Sequence, residues 1–367
     1  MILIEADRDL LLKPLQAVSG IVERRHTLPI LSNVLLERKG KKIHYVATDL
    51  EIQIATEAEC GGKGEDAAIT TSARKLQEIL RALPEKTKVA LEQKDNRILV
   101  KAGKSHFSLQ TLPAEDFPRQ TVTAAQHKEK ITQKNLKQLF GLVQYSMAQQ
   151  DVRYYLNGLL LVIEGDQLKV IATDGHRLGY ASLTQKQKKT HQEVILPRKA
   201  VMEISRLLEN SDDEASIEVS QNQVVFTFSN ICVTTKVIDG KFPDYVRVIP
   251  TNYQKHIVIS RELLQQALQR IAILANEKFR GVRWVLTDGN LRIVCTNNEQ
   301  EEAQEELDVD YKGDPLDIGF NISYLLDVLN YLDCDLVDCA FGDANSSALF
   351  TIPGSSDFKY VVMPMRI

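Results

Sequence analysis

The stretch LLERKGKKIHYVATDLE (residues 35–51) decides the fold, because the chain writes it three times. LLLVIEGDQLKVIATDGHR (159–177) and WVLTDGNLRIVCTNNEQ (284–300) repeat its plan: two strand-like runs around a turn, closed by Thr–Asp or Thr–Asn. Runs that alternate apolar and polar residues put one side on a core, so each copy reads as a β-hairpin. Thr48, Thr173 and Thr296 lie 125 and 123 residues apart, a third of the 367-residue chain.

Three more landmarks keep that spacing. An amphipathic helix opens each unit: DLLLKPLQAVSGIV from Asp9, NLKQLFGLVQYSM from Asn135 and ELLQQALQRIAIL from Glu262. A second one follows the hairpin: ARKLQEIL from Ala73, PRKAVMEI from Pro197 and NISYLLDV from Asn321, both spacings 124. ILVKAGKSHFSLQTL, VVFTFSNICVTTKVI and SALFTIPGSSDFKYVVM close the three units as strand pairs. Chance similarity of amphipathic elements would not hold four landmarks in one order at nearly constant spacing. Each unit supplies alternating strands that need cover and two helices to provide it. The expectation is an α+β chain of three similar domains, 1–125, 126–253 and 254–367, each an antiparallel sheet backed by a helix pair. The boundaries are drawn in polar stretches interrupted by Pro118 and Pro250. Pro14 predicts a kink in the first helix or a later start.

Composition bounds the function. With 44% hydrophobic and 26% charged residues, disorder and a collagen-like fold are excluded. No apolar run approaches the 18 or so residues of a membrane span. MILIEADRDLLLK carries acids where a secretory leader would be basic, so neither membrane nor export is expected. Five scattered cysteines (Cys60, Cys232, Cys295, Cys334, Cys339), without a CxxC pair, argue for reduced thiols in a cytoplasm and against a zinc knuckle. The net charge of −4 is unfriendly to nucleic acid as a total. Its distribution is not: the six helical windows sum to +6, which leaves −10 for the rest.

A search for catalytic chemistry finds little. GGKGED (61–66) lacks the spacing and the Lys–Ser/Thr of a phosphate loop, and GxSxG, HExxH and strand-linked GxGxxG are absent. No metal site or cofactor is expected. ATDGHRLG (172–179) admits two readings. His176 beside Asp174 has the look of a base with an orienting acid, hence a hydrolase. The three repeats, however, all place Thr–Asx there, which reads as shared turn chemistry. On that view Gly175, His176 and Arg177 belong to a binding surface. Arg153, Tyr154 and Tyr155, also peculiar to the middle unit, offer phosphate contact and base stacking, or else a strand edge with a buried Tyr. A peptide-binding scaffold without DNA stays open beside these readings.

TLPIL (27–31), ATDLE, MAQQDVRYYLNG, ATDGHRL, DGKFPDYVRV, NEKFRGVR, EQEEA and YVVMPMR, in that order, resemble the β subunits of bacterial DNA polymerase III, the sliding clamps. The likeness runs from Leu11 to the last residue. It implies a non-catalytic head-to-tail homodimer: six domains in a ring around duplex DNA, helices inside and sheets outside. It also implies partners: the polymerase III alpha subunit, the clamp loader and other proteins with a clamp-binding motif. Carried over by position, DNA contacts are expected at Arg25, Gln150, Tyr154, Tyr155, Lys199 and Arg206. A peptide pocket is expected at Arg153, Leu156, Thr173, Gly175, His176, Arg177, Leu178, Pro243, Arg247, Val248, Asn321, Tyr324 and Ser347. The tail Val361, Val362, Met363, Pro364, Met365 and Arg366 completes it. The dimer seam is expected to set Phe107 against Ile273 and Leu274, and Lys75, Arg97 and Lys104 against Glu299, Glu301, Glu302, Glu305 and Glu306. The family pattern often has Arg where this chain has His106.

Overall fold

The structure, a computed structural model, describes residues 2–23, 27–59, 65–185 and 191–366. Arg25, Cys60, Ile367 and positions 61–64 of the Gly-rich run lie outside the described residues. The chain divides into two compact units, residues 1–137 with 202–237, and 138–201 with 238–367. Every strand pairing described is antiparallel, which makes the chain α+β as its alternating runs predict.

The first unit holds a twelve-stranded sheet. Beside it pack helices α1 (Arg8–Val18) and α2 (Ala73–Ala82). Leu11, Leu15 and Val18 of α1 and Leu76 and Leu80 of α2 are buried with Val89, Leu91, Ile98 and Val100 of the strands. Ser72 starts α2 by accepting the Lys75 N–H, one of the donors a helix start leaves unpaired. Pro14 lies inside α1, and the helix starts before it rather than later. The middle repeat contributes helices α3 (Gln133–Val143) and α4 (Arg198–Leu207).

Within this sheet strands of different repeats join: Ile52–Glu59 pairs with Ile231–Lys236, Ile52 opposite Thr235 and Thr56 opposite Ile231. The strand Ser105–Leu112 pairs along its length with Arg97–Ala102, but only Thr111 and Leu112 meet its other neighbour. Residues 105–110 therefore present an open edge among the described residues.

The second unit carries an eight-stranded and a four-stranded sheet, with the single turn α5 (Tyr245–Val248) and helices α6 (Arg261–Ile271) and α7 (Ile322–Tyr331). In the eight-stranded sheet Arg177–Thr184 pairs with Phe358–Val362, again joining two repeats. One end of the four-stranded sheet is Glu302–Asp308, also an open edge among the described residues. Its core centres on fully buried Trp284, edge-on to Phe320, Phe341 and Phe350 at 5.6, 6.1 and 6.2 Å. Among the described residues no helix is long and apolar enough to cross a membrane.

Candidate functional site

The Thr–Asx element closes all three hairpins. Thr173 Oγ1 donates to the Arg177 carbonyl at 2.6 Å and accepts the Gly175 N–H, while Asp174 Oδ1 accepts the His176 and Arg177 N–H groups. Thr48 and Asp49 make the same four bonds to Ile52, Leu50, Glu51 and Ile52. Asn297 Oδ1 accepts from Glu299 and Glu301. The side-chain oxygen stands in for a backbone acceptor, so the chain reverses within four residues. The turn needs one left-handed residue, at Leu50 (φ 78°), Gly175 (φ 89°) and Gln300 (φ 62°). With Asp174 Oδ2 taken by Arg177 Nε, no hydrogen bond among the described residues ties Asp174 to the His176 ring. The base-and-acid geometry of a hydrolase is not formed here.

What distinguishes the middle copy is Arg177. Its Nε meets Asp174 at 3.0 Å, Nη1 meets Asp327 of α7 at 2.5 Å, and Nη2 donates to the Tyr145 carbonyl at 2.6 Å. The guanidinium lies 4.3 Å from the Tyr324 ring centroid, and the side chain is only 10% exposed. Burial works against its charge, but Tyr360, Asp327 and Asp174 outweigh it and hold the pKa above the ordinary arginine value. Burial also pushes the Tyr145 and Tyr324 hydroxyls up.

A cavity of about 460 Å³ opens beside this tie, lined by Tyr145, Met147, Ala148, Gln149, Gln150, Asp151, Asp174, His176, Arg177, Arg198 and Tyr324. It brings together expected residues from both binding sets, Gln150 with His176, Arg177 and Tyr324. Tyr145, Met147 and Arg198 were missed, because their approach is long-range. Asp151 sat unread inside the quoted MAQQDVRYYLNG motif, where Gln149 is read with Gln150 as a neighbour of the tyrosines.

The remaining pocket positions divide by burial. Leu156, Thr173, Leu178, Val361 and Val362 are buried and do not line that cavity. Gly175, His176, Arg247, Val248 and Met363 are exposed, and Pro243, Asn321 and Ser347 are half-buried. Arg247 pairs with Asp244, Asn321 caps α7, and the Ser347 carbonyl accepts from Tyr253. The tail is pinned at two points: Met363 N–H donates to the His176 carbonyl and Met365 N–H to the Gly319 carbonyl, both 2.9 Å. Pro364 and Met365 are half-buried, and Arg366 is exposed.

Around residues 150–157 the expected nucleic-acid contacts are presented by a braced loop. Asp151 takes the Arg153 N–H and Nε, and Asn157 clasps Asp151 from both sides. The Arg153 hydrogen bonds hold the Asp151 carboxyl at about 2. Exposed Gln150 and Tyr154 project from this loop, with Tyr155 half-buried and edge-on to Tyr154. Lys199 is half-buried on α4. Arg206 is exposed, yet it is shared with Glu203 and the Ala17 carbonyl.

The residues expected at a dimer seam sit on or beside the edges at 105–110 and 302–308. Phe107 and Arg97 are exposed on the hairpin 97–112, Lys104 at its turn, and Lys75 on α2. His106 is exposed on the same strand. Ile273 is 78% exposed and Leu274 half-buried just past α6. Glu299, Glu301, Glu302 and Glu306 are exposed, whereas Glu305 is already gripped by Arg270 at 2.6 and 2.8 Å.

Comparison with known proteins matches this chain along its length. Sequence profiles of the DNA polymerase III beta subunit fit it in order, the N-terminal domain over residues 2–122, the central domain over 130–244 and the C-terminal domain over 246–366. The beta sliding clamp of Pseudomonas putida is 45% identical over 362 residues, 98% of each chain. That of Escherichia coli K12 is 44% identical, covering 98% of this chain and 99% of the other. Crystal structures of the DNA polymerase III subunit beta from Pseudomonas aeruginosa (TM-score 0.95, 45% identity) and of Caulobacter crescentus pol III beta (0.93, 37%) superpose over 100% of both chains.

Proposed function

The chain belongs to the DNA polymerase III beta-subunit family, the sliding clamps, and on that premise we propose the parts its residues play. It is a non-catalytic processivity subunit that encircles duplex DNA and tethers the replicative polymerase. Two copies form the ring, and the bacterial cytoplasm, at the nucleoid, is the proposed site of action. The three domains are taken as 1–125, 126–253 and 254–367.

The observation that carries the reading is the junction plan. Two sheet junctions lie within the chain, and at each the end of the second strand donates back to the turn: Lys236 N–H to Glu51 O, and Met363 N–H to His176 O. Glu302–Asp308 is the third repeat's copy of Ile52–Glu59 and Arg177–Thr184. Ser105–Leu112 is the first repeat's copy of Ile231–Lys236 and Phe358–Val362. Both strands leave an edge open among the described residues. Transferring the register sets Phe107 opposite Ala303 and Ser108 opposite Glu302 of a second copy, with Gln110 N–H donating to Gln300 O. The edges lie on different sheets, so such pairing is head-to-tail, and in a dimer it closes. Phe107 then falls on the core side, in reach of Ile273 and Leu274, while Lys104 and Arg97 face the glutamates.

Within the ring, Gln150, Tyr154, Tyr155, Lys199 and Arg206, with Arg25, are assigned to DNA, touching phosphates and sugars rather than reading sequence. The residues around the 460 Å³ cavity, with the tail 361–366, are assigned to a peptide groove for the polymerase and clamp loader. Its exposed Met363 supplies an adaptable apolar contact. Two measurements test the whole. Sedimentation at micromolar concentration is expected to give a dimer, and the protein is expected to stay on circular DNA and leave once the circle is cut. A monomer that ignores linearisation sinks the proposal.

A further inference from the structure

Arg177 is placed as a groove residue, yet its guanidinium is spent within the chain, on Asp174, Asp327 and the Tyr145 carbonyl. Asp327 stands one turn beyond Tyr324 on α7, so both meet the guanidinium from one helix face. Tyr324 is itself fixed, because its carbonyl accepts the Tyr360 hydroxyl at 2.9 Å. Asp327 is 39% exposed on the side chain, which leaves room to replace it. The turn that Arg177 ends carries Gly175 and His176, and the His176 carbonyl holds the tail through Met363 N–H. A chain of contacts thus runs from Asp327 through Arg177 to the turn and the tail. At the equivalent turn of the first repeat, Ile52 occupies the place of Arg177 and no such tie forms.

We propose that Asp327 is a positioning residue of the peptide groove: through Arg177 it holds the Asp174–Arg177 turn on α7 and so sets peptide affinity without lying in the groove. This rests on the reading of that cavity as a peptide groove. Neutralising Asp327 leaves Arg177 with Asp174, the Tyr145 carbonyl and the Tyr324 ring, and without a charged partner on α7. The turn then loses its ion pair to α7, and ordering it becomes a cost of binding.

The test uses the intact ring and a fluorescein-labelled peptide carrying the clamp-binding motif of a bacterial polymerase III alpha subunit. Asp327→Asn is expected to weaken binding about tenfold, and Asp327→Glu to stay within about threefold of the parent, in the range of ordinary couplings between sites. In an Arg177→Gln background, Asp327→Asn is expected to add nothing, since the path is already cut. The Arg177 Nε–H resonance should move in Asp327→Asn and stay in Asp327→Glu. Unchanged affinity in Asp327→Asn overturns the proposal, as does a full additional loss in the Arg177→Gln background. Failure of the parent ring to bind the peptide overturns the groove reading itself, and this inference with it.

Discussion

The two in-chain junctions share a backbone plan and differ in the chemistry laid over it. At the first, neutral amides and hydroxyls do most of the fastening, beside one exposed ion pair, Lys236–Glu51. Gln120 bonds Gln53 and the Leu50 carbonyl, Gln223 bonds Thr121 and Thr123, and Thr123 bonds Ser220. The connecting segment 118–123 thereby lines a cavity of about 440 Å³ with its own side chains and backbone. At the second junction a buried guanidinium takes over, pinned by two carboxylates and a carbonyl. Neutral bonds are worth about 1 kcal/mol each and fail one at a time. A buried charge pair fails together, since removing one partner strands the other. Repetition supplied one scaffold; the side chains fastened one copy with neutral bonds and the other around a buried arginine.

That contrast can be broken most sharply at the tail. Deleting Met363–Ile367 is expected to weaken clamp-binding peptides more than a hundredfold while the dimer persists, whereas Lys236→Ala, at the matching position of the first junction, leaves binding unchanged. Fluorescence anisotropy and sedimentation check both. Loss of dimer and binding together would make the tail structural. Next comes the exchange at the turn's fourth position. Ile52→Arg buries a cation where the parent side chain is 1% exposed, and should cost about 3–4 kcal/mol in chemical denaturation. Arg177→Ile should cost about 2–3 kcal/mol, the lower figure because half-exposed Asp327 regains water.

A smaller effect separates the left-handed residues. Leu50→Gly should raise stability by about 1 kcal/mol by relieving a positive φ, while Gly175→Leu should lower it by about 1–2 kcal/mol. A Cβ at Gly175 would lie 2.9 Å from Arg153 Nη2, so Arg153 must also shift. Equal effects of the two substitutions would show that backbone strain is not what distinguishes these turns. The smallest prediction concerns acid. The Arg153 hydrogen bonds hold Asp151 at about 2, below the usual carboxylate value of about 3.9, so its contribution is complete above that value and lost as pH falls through 2. Amide chemical shifts of 151–157 should hold from pH 7 to about 4 and change below; change beginning near pH 5 would refute the assignment.

Local chemistry was legible in the sequence and distant chemistry was not. The Thr–Asx turn could be read because its bonds close within four residues, and all three copies make the Asx bonds. Helices announced themselves by period, and in the structure Ser72, Ser260 and Asn321 cap three of them by accepting a helix N–H. The merging of repeats into a twelve-stranded and an eight-stranded sheet could not be read, since Ile52 and Thr235 are brought together only by the fold. Arg177 and Asp327, 150 positions apart, illustrate the same limit. Charge totals misled locally too: Arg206 and Arg270 count as helical cations, yet Glu203 and Glu305 hold them.

Trp284 is the single tryptophan of the chain, and it lies in the second unit without exposure to water. Its emission is therefore an optical label that nature placed on one unit alone. Heating or denaturant followed at that wavelength reports the second unit, while circular dichroism reports both. The separation between the two curves measures how far the halves of the chain melt as one body.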